Sequence, residues 1–188
     1  MKKIPTIFER DWSGDKSRVL NIQNPAAAWV FSGDGVPTRK LDGTCCLVRK
    51  GTLLKRRELK RGENPPDSFE IADHDDETGK TVGWVPVSDT DPTDQWHRQA
   101  FSITVSDGTY ELVGPKIQGN PERYERHRLV PHSALRFTMD DQPPRDFEGL
   151  RTWLTGRDIE GIVFHHEDGR MAKIKLRDFG LKRAIPKT

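Results

Sequence analysis

Strand-like runs of apolar and polar residues alternate with turn signals along three segments of this chain. Two such runs on either side of a turn that contains glycine favour a β-hairpin. The predicted hairpins are CCLVRKGTLLKRRELK at 45–60, turning at Lys50-Gly51; FSITVSDGTYELVG at 101–114, turning at Asp107-Gly108; and EGIVFHHEDGRMAKIKL at 160–176, turning at 167–169.

Two short helices are predicted between these hairpins. The first covers 93–100, directly after Pro92, because proline suits the first turn of a helix. The second covers 145–155, where three apolar residues share one face and Gly156 follows as a stop signal. The long polar stretch 62–83 is expected to be a mobile loop or a lid.

The predominance of hairpins over helices predicts the fold class. Hairpins join antiparallel strands, whereas a doubly wound parallel sheet needs a helix after each strand. The expected fold is therefore α+β, with antiparallel sheets and few helices. A length of 188 residues fits one domain spanning 1–188.

Composition indicates an ordinary globular protein. Apolar residues make up 33% of the chain and charged residues 32%, and five tryptophans and eight phenylalanines can anchor a core. No apolar run reaches membrane-span length, and the first twelve residues lack the apolar segment of an export signal. Cys45 and Cys46 are adjacent and are the only cysteines, so a disulfide framework is excluded and a reduced, cytoplasmic protein is expected.

Positive charge is concentrated locally, although the net charge is only +2. Seven cations and one acid lie between Arg49 and Arg61, and four arginines with two histidines lie between 121 and 136. Basic faces of this kind suit phosphates, and Arg123, Arg126 and Arg128 are among the candidate phosphate contacts. A solvated surface explains the same charge pattern equally well.

Lys40 lies near the start of a strand that is predicted to be buried, two residues before Asp42. A buried lysine is costly to keep charged, so its amine either extends to solvent or has a chemical role. An amine attacks phosphorus only in its neutral form, and burial near other cations favours that form. The remaining motifs favour the chemical role.

Short polar signals accompany four predicted strands in a fixed order. Each is weak alone, because a strand that begins with an acid or carries two lysines on one face is usually only solvated. The signals are KLDG at 40–43, LLKRREL at 53–59, YELVG at 110–114, and EGIVF at 160–164 followed by KIK at 173–175.

From about Thr38 to Gly180 the chain resembles the covalent nucleotidyltransferases, the superfamily of polynucleotide ligases and mRNA capping enzymes. K-x-D-G, a strand arginine, a strand glutamate, EGIV and K-x-K occur in that family's order. The phrases KLDGTCC, GWVPVSDTDPTDQWH and ELVGPKIQGNPE resemble in particular the ATP-dependent 5′-to-3′ RNA ligases related to the human RNA ligase.

The resemblance implies a role for each matching residue. Lys40 would attack ATP and form lysyl-AMP, and Glu160, with Asp42 through water, would hold Mg²⁺ or Mn²⁺. The other matches would bind the nucleotide: Asp42, Gly43, Arg56 (or, less well, Arg57), Glu111, Lys173 and Lys175. Gly43 would also let the backbone turn tightly beside the nucleotide.

The resemblance further implies a substrate and leaves alternatives open. The expected activity transfers AMP to an RNA 5′-phosphate and then joins that phosphate to a 3′-hydroxyl, with Arg123, Arg126 and Arg128 as the candidate RNA-binding residues. The protein is expected to be a monomer that does not bind membranes. Only 13 residues follow Lys175, too few for the OB domain of DNA ligases and capping enzymes, so that domain is expected to be missing. A nucleotide- or RNA-end-binding module, or a nucleotidyltransferase with another acceptor, remain alternatives.

Overall fold

The computed structural model describes residues 3–76 and 79–184, which form two compact units. The large-sheet unit contains Lys3 and 42–132, and the small-sheet unit contains 4–41 and 133–184. The K-x-D-G motif is divided between them, because Lys40 belongs to the small-sheet unit and Asp42 to the large-sheet unit. The prediction of one domain over 1–188 stays a prediction.

Antiparallel strands dominate both units. The strands are β1 (Phe8–Arg10), β2 (Val19–Gln23), β3 (Val36–Lys40), β4 (Thr44–Arg49), β5 (Thr52–Leu59), β6 (Glu70–Asp75), β7 (Lys80–Pro86), β8 (Gly108–Val113), β9 (Arg128–Pro131), β10 (Gly161–His165) and β11 (Met171–Lys175). The α-helices are α1 (Ala28–Phe31), α2 (Gln95–Ala100) and α3 (Phe147–Leu154), and short 3-10 turns occupy Pro25–Ala27, Pro92–Asp94, Met139–Asp141 and Leu176–Phe179. The predicted α+β class with few helices is confirmed.

The large-sheet unit is built on a six-stranded sheet in the order β6-β7-β5-β4-β8-β9. The predicted β4-β5 hairpin is confirmed, and its turn residues Lys50 and Gly51 both have positive φ, as a two-residue hairpin turn requires. Helix α2 forms where it was predicted, after an Asp91 side chain that accepts from the Thr93 N–H. Trp96 on this helix packs against a core that contains Cys46.

Two predictions for the large-sheet unit were wrong. No strand forms at 101–106, because β8 is already paired with β4 on one side and β9 on the other. The stretch 62–83 is not a single loop, since it contains β6 and the first part of β7, which pair with each other. Residues 77 and 78 of that stretch lie outside the described residues.

The small-sheet unit contains a three-stranded sheet in the order β11-β10-β3 and the β1-β2 pair. The predicted β10-β11 hairpin is confirmed. Helix α3 forms as predicted, capped by the Asp146 side chain, and its Leu150 and Leu154 are fully buried against Phe164 and other core residues. One face of the three-stranded sheet therefore belongs to the core. No helix in the described parts of the chain is long and apolar enough to cross a membrane.

Candidate active site

Three lysines share one face of the three-stranded sheet in the small-sheet unit. Gly161 on β10 lies opposite Lys40 on β3 and opposite Lys175 on β11. Val163 lies opposite Lys173 in the same way. Directly opposed residues project to the same side of a sheet, and alternate residues of a strand share a face. Lys40, Lys173 and Lys175 therefore project from the same side of the sheet and form the lysine face.

Gly161 is required where it stands because the neighbouring strand approaches closely. A Cβ at this position would lie 2.2 Å from the backbone oxygen of Ile174 and 2.8 Å from the Lys175 Cα. Any larger residue would therefore push β10 away from β11 and disturb the lysine face. This close packing explains the glycine of the EGIV motif.

Glu160 bridges two of the lysines. Its Oε2 lies 2.5 Å from the Lys40 Nζ, and its Oε1 lies 2.5 Å from the Lys175 Nζ. The Glu160 side chain is only 15% exposed, so both ion pairs are largely shielded from water. Removing either partner of such a pair leaves a buried charge without compensation, which is costly.

The charges around Glu160 shift two pKa values. Burial alone would raise the pKa of Glu160, but the charges of Lys40 and Lys175 outweigh it, and the pKa lies below its ordinary value. Burial, reinforced by the charges of Lys175 and Lys40, lowers the pKa of Lys173 to about 8. Three cationic side chains around one carboxylate leave an excess of positive charge, which suits a polyphosphate.

Lys173→Met should flatten the pH dependence of stability above about pH 8. The pKa of Lys173 is about 8 in the folded chain, whereas a lysine in an unfolded chain titrates near about 10.4. Between these values the unfolded chain holds a proton that the folded chain has released. The free energy of unfolding therefore rises with pH, by up to about 1.4 kcal/mol per pH unit for one group.

Chemical denaturation of wild type and Lys173→Met at a series of pH values from neutral upward measures this difference. The exposed Lys16 provides the control, and Lys16→Met should keep the wild-type slope. A wild-type slope no steeper than that of Lys173→Met would contradict the lowered pKa of Lys173.

Asp178 and Arg10 support the end of β11, and sequence reasoning missed both. Asp178 is 1% exposed, and its Oδ2 accepts from the Lys175 N–H at 2.9 Å. Its Oδ1 pairs with the Arg10 Nη2 at 3.0 Å. Lys175 directly precedes a 3-10 turn, and Asp178 lies three residues after it. An acid at that spacing is typical of a capping box, and this was the available sequence signal.

Glu111 organises the motif residues of the large-sheet unit. Its Oε1 accepts from the Gly43 N–H at 3.1 Å, and its Oε2 lies 2.8 Å from the His132 Nε2. The Asp42 N–H donates to the Glu122 Oε1 at 3.1 Å. Glu111 is 8% exposed, so the sequence-predicted strand glutamate is buried and hydrogen-bonded.

Gly43 has a different structural role from the predicted tight turn. Its φ lies outside the left-handed region, so no special backbone conformation requires glycine there. A Cβ would instead lie 2.3 Å from the Leu112 backbone oxygen and 2.8 Å from the Glu111 Cγ. Glycine is needed because β8 approaches, and it brings the backbone N–H within reach of Glu111.

The sheet register places Arg56, and not Arg57, on the face of Glu111. Cys46 lies opposite Lys55 on β5 and opposite Tyr110 on β8, so the next residues along, Arg56 and Glu111, share the other face. The Arg56 Nε is buried and has no hydrogen-bond partner among residues 3–76 and 79–184. Arg57 projects from the opposite face.

Acids neutralise part of the predicted basic segment 49–61. Three of its cations form ion pairs: Arg49 with Glu70 at 2.6 Å, Lys55 with Asp94 at 2.5 Å, and Arg57 with Glu63 at 2.9 Å. The segment also forms much of strand β5, whose side chains alternate between two faces, so its cations do not form one surface.

Arg123, Arg126 and Arg128 all have exposed side chains in the large-sheet unit. The Arg128 guanidinium lies over the Tyr124 ring, 5.7 Å from its centroid. His127 between them differs, because its ring stacks on Trp96 at 4.6 Å and bonds to Gln99. The three arginines are therefore accessible cations of the predicted basic surface.

The predicted hairpin turn holds for residues 166–169, whereas His165 is the last residue of strand β10. The His166 Nδ1 lies 2.9 Å from the Asp168 Oδ1, and Glu167 and Asp168 are exposed. The described residues contain no group of three or more potential metal ligands.

The sequence is similar to proteins described as RNA ligase 1. A family model described as RNA ligase 1 matches residues 100–188. The RNA ligase 1 of Danio rerio is 26% identical, over 100% of this chain and 83% of the relative. The proteins of that name from Pongo abelii and Rattus norvegicus are 27% and 30% identical, over 81% and 82% of this chain and 70% of each relative.

Proposed function

Because this chain belongs to the RNA ligase 1 family, we propose that it is an ATP-dependent RNA ligase of the covalent nucleotidyltransferase superfamily. The observation that carries this proposal is the lysine face, where Glu160 holds Lys40 at 2.5 Å beside two further lysines. A nucleophilic lysine needs a fixed position, and a triphosphate needs surrounding cations. This arrangement supplies both.

The proposed reaction has three steps. The Lys40 Nζ attacks the α-phosphorus of ATP, so a nitrogen–phosphorus bond forms while the bond to pyrophosphate breaks. An oxygen of the RNA 5′-phosphate then attacks the same phosphorus, which releases the amine and leaves AMP on the RNA end. Finally a 3′-hydroxyl attacks the RNA phosphorus, forms the phosphodiester and displaces AMP.

Each motif residue has a place in this scheme. Lys173 and Lys175 bind the phosphates of ATP, and Glu111 accepts hydrogen bonds from the ribose. Arg56, whose buried Nε has no partner among the described residues, contacts the phosphate or the ribose. The backbone around Gly43 lies beside the nucleotide.

The carboxylate of Glu160 fits a divalent cation. It holds two cationic groups in a largely buried setting, and carboxylate oxygens are the donors that Mg²⁺ and Mn²⁺ prefer. Glu160, with Asp42 through water, would hold the ion. A bound Mg²⁺ or Mn²⁺ would supply neutralisation of the phosphate oxygens.

One experiment tests both halves of the proposal, adenylylation and sealing. Purified protein is mixed with Mg²⁺ and ATP labelled at the α-phosphate, with and without a nicked RNA that carries a 5′-phosphate. We expect label on the protein without RNA, and sealed RNA when RNA is present. If the protein gains no label with any nucleoside triphosphate, in Mg²⁺ or in Mn²⁺, the proposal is overturned. Label without sealing would favour another acceptor.

Neutralising the exposed arginines separates RNA binding from adenylylation. Changing Arg123, Arg126 and Arg128 together to glutamine should reduce sealing by about tenfold or more at moderate salt, because phosphate contacts release counterions. Protein labelling should stay near the wild-type level. Glutamine at three exposed positions outside both basic segments, Lys16, Arg151 and Lys182, removes the same charge as a control and should leave sealing unchanged. Loss of labelling with the first variant would instead place those arginines at the nucleotide.

A further inference from the structure

The side chain of His132 contacts the carboxylate of Glu111. Its Nε2 lies 2.8 Å from the Glu111 Oε2, and the two side chains are 20% and 11% exposed. The backbone fixes the ring's position, since the His132 N–H donates to the Thr109 carbonyl at 3.2 Å just past the end of β9. Val130 lies directly opposite Glu111, so His132, two residues on, projects from the same face.

Hydrogen-bond chemistry fixes the direction of this contact. A carboxylate oxygen only accepts, so the Nε2 of His132 carries the proton and donates it to Glu111. The Nδ1 is shielded from water and has no hydrogen-bond partner within residues 3–76 and 79–184. Among the described residues, the hydrogen bond of the His132 ring is therefore the one to Glu111.

Two donors now hold the carboxylate from two sides. The Gly43 N–H binds one oxygen and the His132 Nε2 binds the other. Each carboxylate oxygen can accept more than one hydrogen bond, so acceptor capacity remains for hydroxyl groups of a ligand. A carboxylate fixed in this way accepts hydrogen bonds from defined directions. Its side chain loses little conformational freedom when a ligand binds.

We propose that His132 is a positioning residue that orients Glu111 toward the ribose hydroxyls, and so makes the site select ribonucleotides over 2′-deoxyribonucleotides. This inference rests on the proposed function, because it takes Glu111 as the ribose acceptor. Gly43 alone would leave one oxygen of Glu111 unheld. The carboxylate could then rotate about its terminal torsion, which is broad and soft.

The test compares ribose and deoxyribose in wild type, His132→Ala and His132→Gln. Calorimetry gives the affinities for AMP and 2′-deoxy-AMP, which cannot react with Lys40. Labelling rates with ATP and 2′-deoxy-ATP are measured beside them. We expect wild type to favour the ribonucleotide by about tenfold or more, the worth of a hydrogen bond to a charged group.

His132→Ala should bring this preference close to one by weakening ribonucleotide binding, with little change for the deoxyribonucleotide. His132→Gln should restore most of the preference, because a glutamine amide can donate from nearly the position of Nε2. The exposed His74 serves as the control, and His74→Ala should keep the wild-type ratio. Thermal unfolding of each variant shows that the comparison is made on folded protein.

The outcomes separate the inference from the proposed function. If His132→Ala keeps the wild-type preference for AMP over 2′-deoxy-AMP, His132 does not position Glu111. Equal loss of both affinities, or failure of glutamine to restore the ratio, also overturns the inference. Wild type that binds AMP selectively through His132 but never becomes labelled would overturn the proposed ligase and leave the positioning role standing. Wild type that binds neither nucleotide overturns both.

Discussion

Lys40→Ala should abolish covalent labelling of the protein by ATP, with a loss of about a thousandfold or more, as removal of a catalytic nucleophile causes. On the described part of the lysine face, Lys40 pairs with the Glu160 Oε2 and Lys175 pairs with the Oε1, each at 2.5 Å. Lys40 is the lysine of the K-x-D-G motif, and the proposed scheme assigns the attack on ATP to it. Intact-protein mass spectrometry after incubation with ATP and Mg²⁺ would measure the added AMP, and peptide mapping would locate it.

Lys40→Arg should fail as completely as alanine. A guanidinium can still pair with Glu160, but it stays protonated and is a poor nucleophile. This variant therefore separates the ion pair from the chemistry. Lys16→Ala, at an exposed position of the same unit, should label like wild type. Labelling that survived in Lys40→Ala, or an AMP mapped to Lys173 or Lys175, would contradict the assignment of Lys40.

Much of the lysine face could be predicted because it depends on residue spacing within one strand and on one hairpin turn. Lys173 and Lys175 are two residues apart on one strand, and a period of two puts them on one face. The hairpin turn at 167–169 fixes how β11 folds back on β10, so the lysines of KIK and the glutamate of EGIV meet. The pairing of β3 with β10 joins residues far apart in sequence, and it was available only through the resemblance to a known family.

The errors and omissions come from long-range pairing. The segment 101–106 alternates like a strand, but the edges of β8 are occupied by β4 and β9, and propensity cannot show that. The stretch 62–83 is polar because β6 is the edge of the sheet, where polar strands are common. His132 and Asp178 were missed as supports because each acts through a hydrogen bond that only the folded backbone brings about.

Glu160→Gln should reduce labelling with ATP by about a hundredfold or more, within the range for loss of a positioned catalytic carboxylate. The substitution keeps the size of the side chain but removes its charge. Lys40 and Lys175 then lose the acid that they share, and Lys40 loses the charged partner that fixes it at 2.5 Å. In the proposed scheme, a bound divalent cation would also lose a charged ligand. Labelling rates across a range of Mg²⁺ and Mn²⁺ concentrations measure the effect.

Glutamine is preferred to alanine at this position because Glu160 is a shielded bridge between two lysines. Glu160→Ala should destabilise the chain by about 3–5 kcal/mol, since it leaves buried cations without their partner. The control is Glu167→Gln, on the exposed turn of the same β10-β11 hairpin, and it should label like wild type. A metal role predicts that higher metal concentration recovers part of the activity of Glu160→Gln. Near-normal labelling of that variant at every metal concentration would show that Glu160 neither fixes Lys40 nor holds the ion.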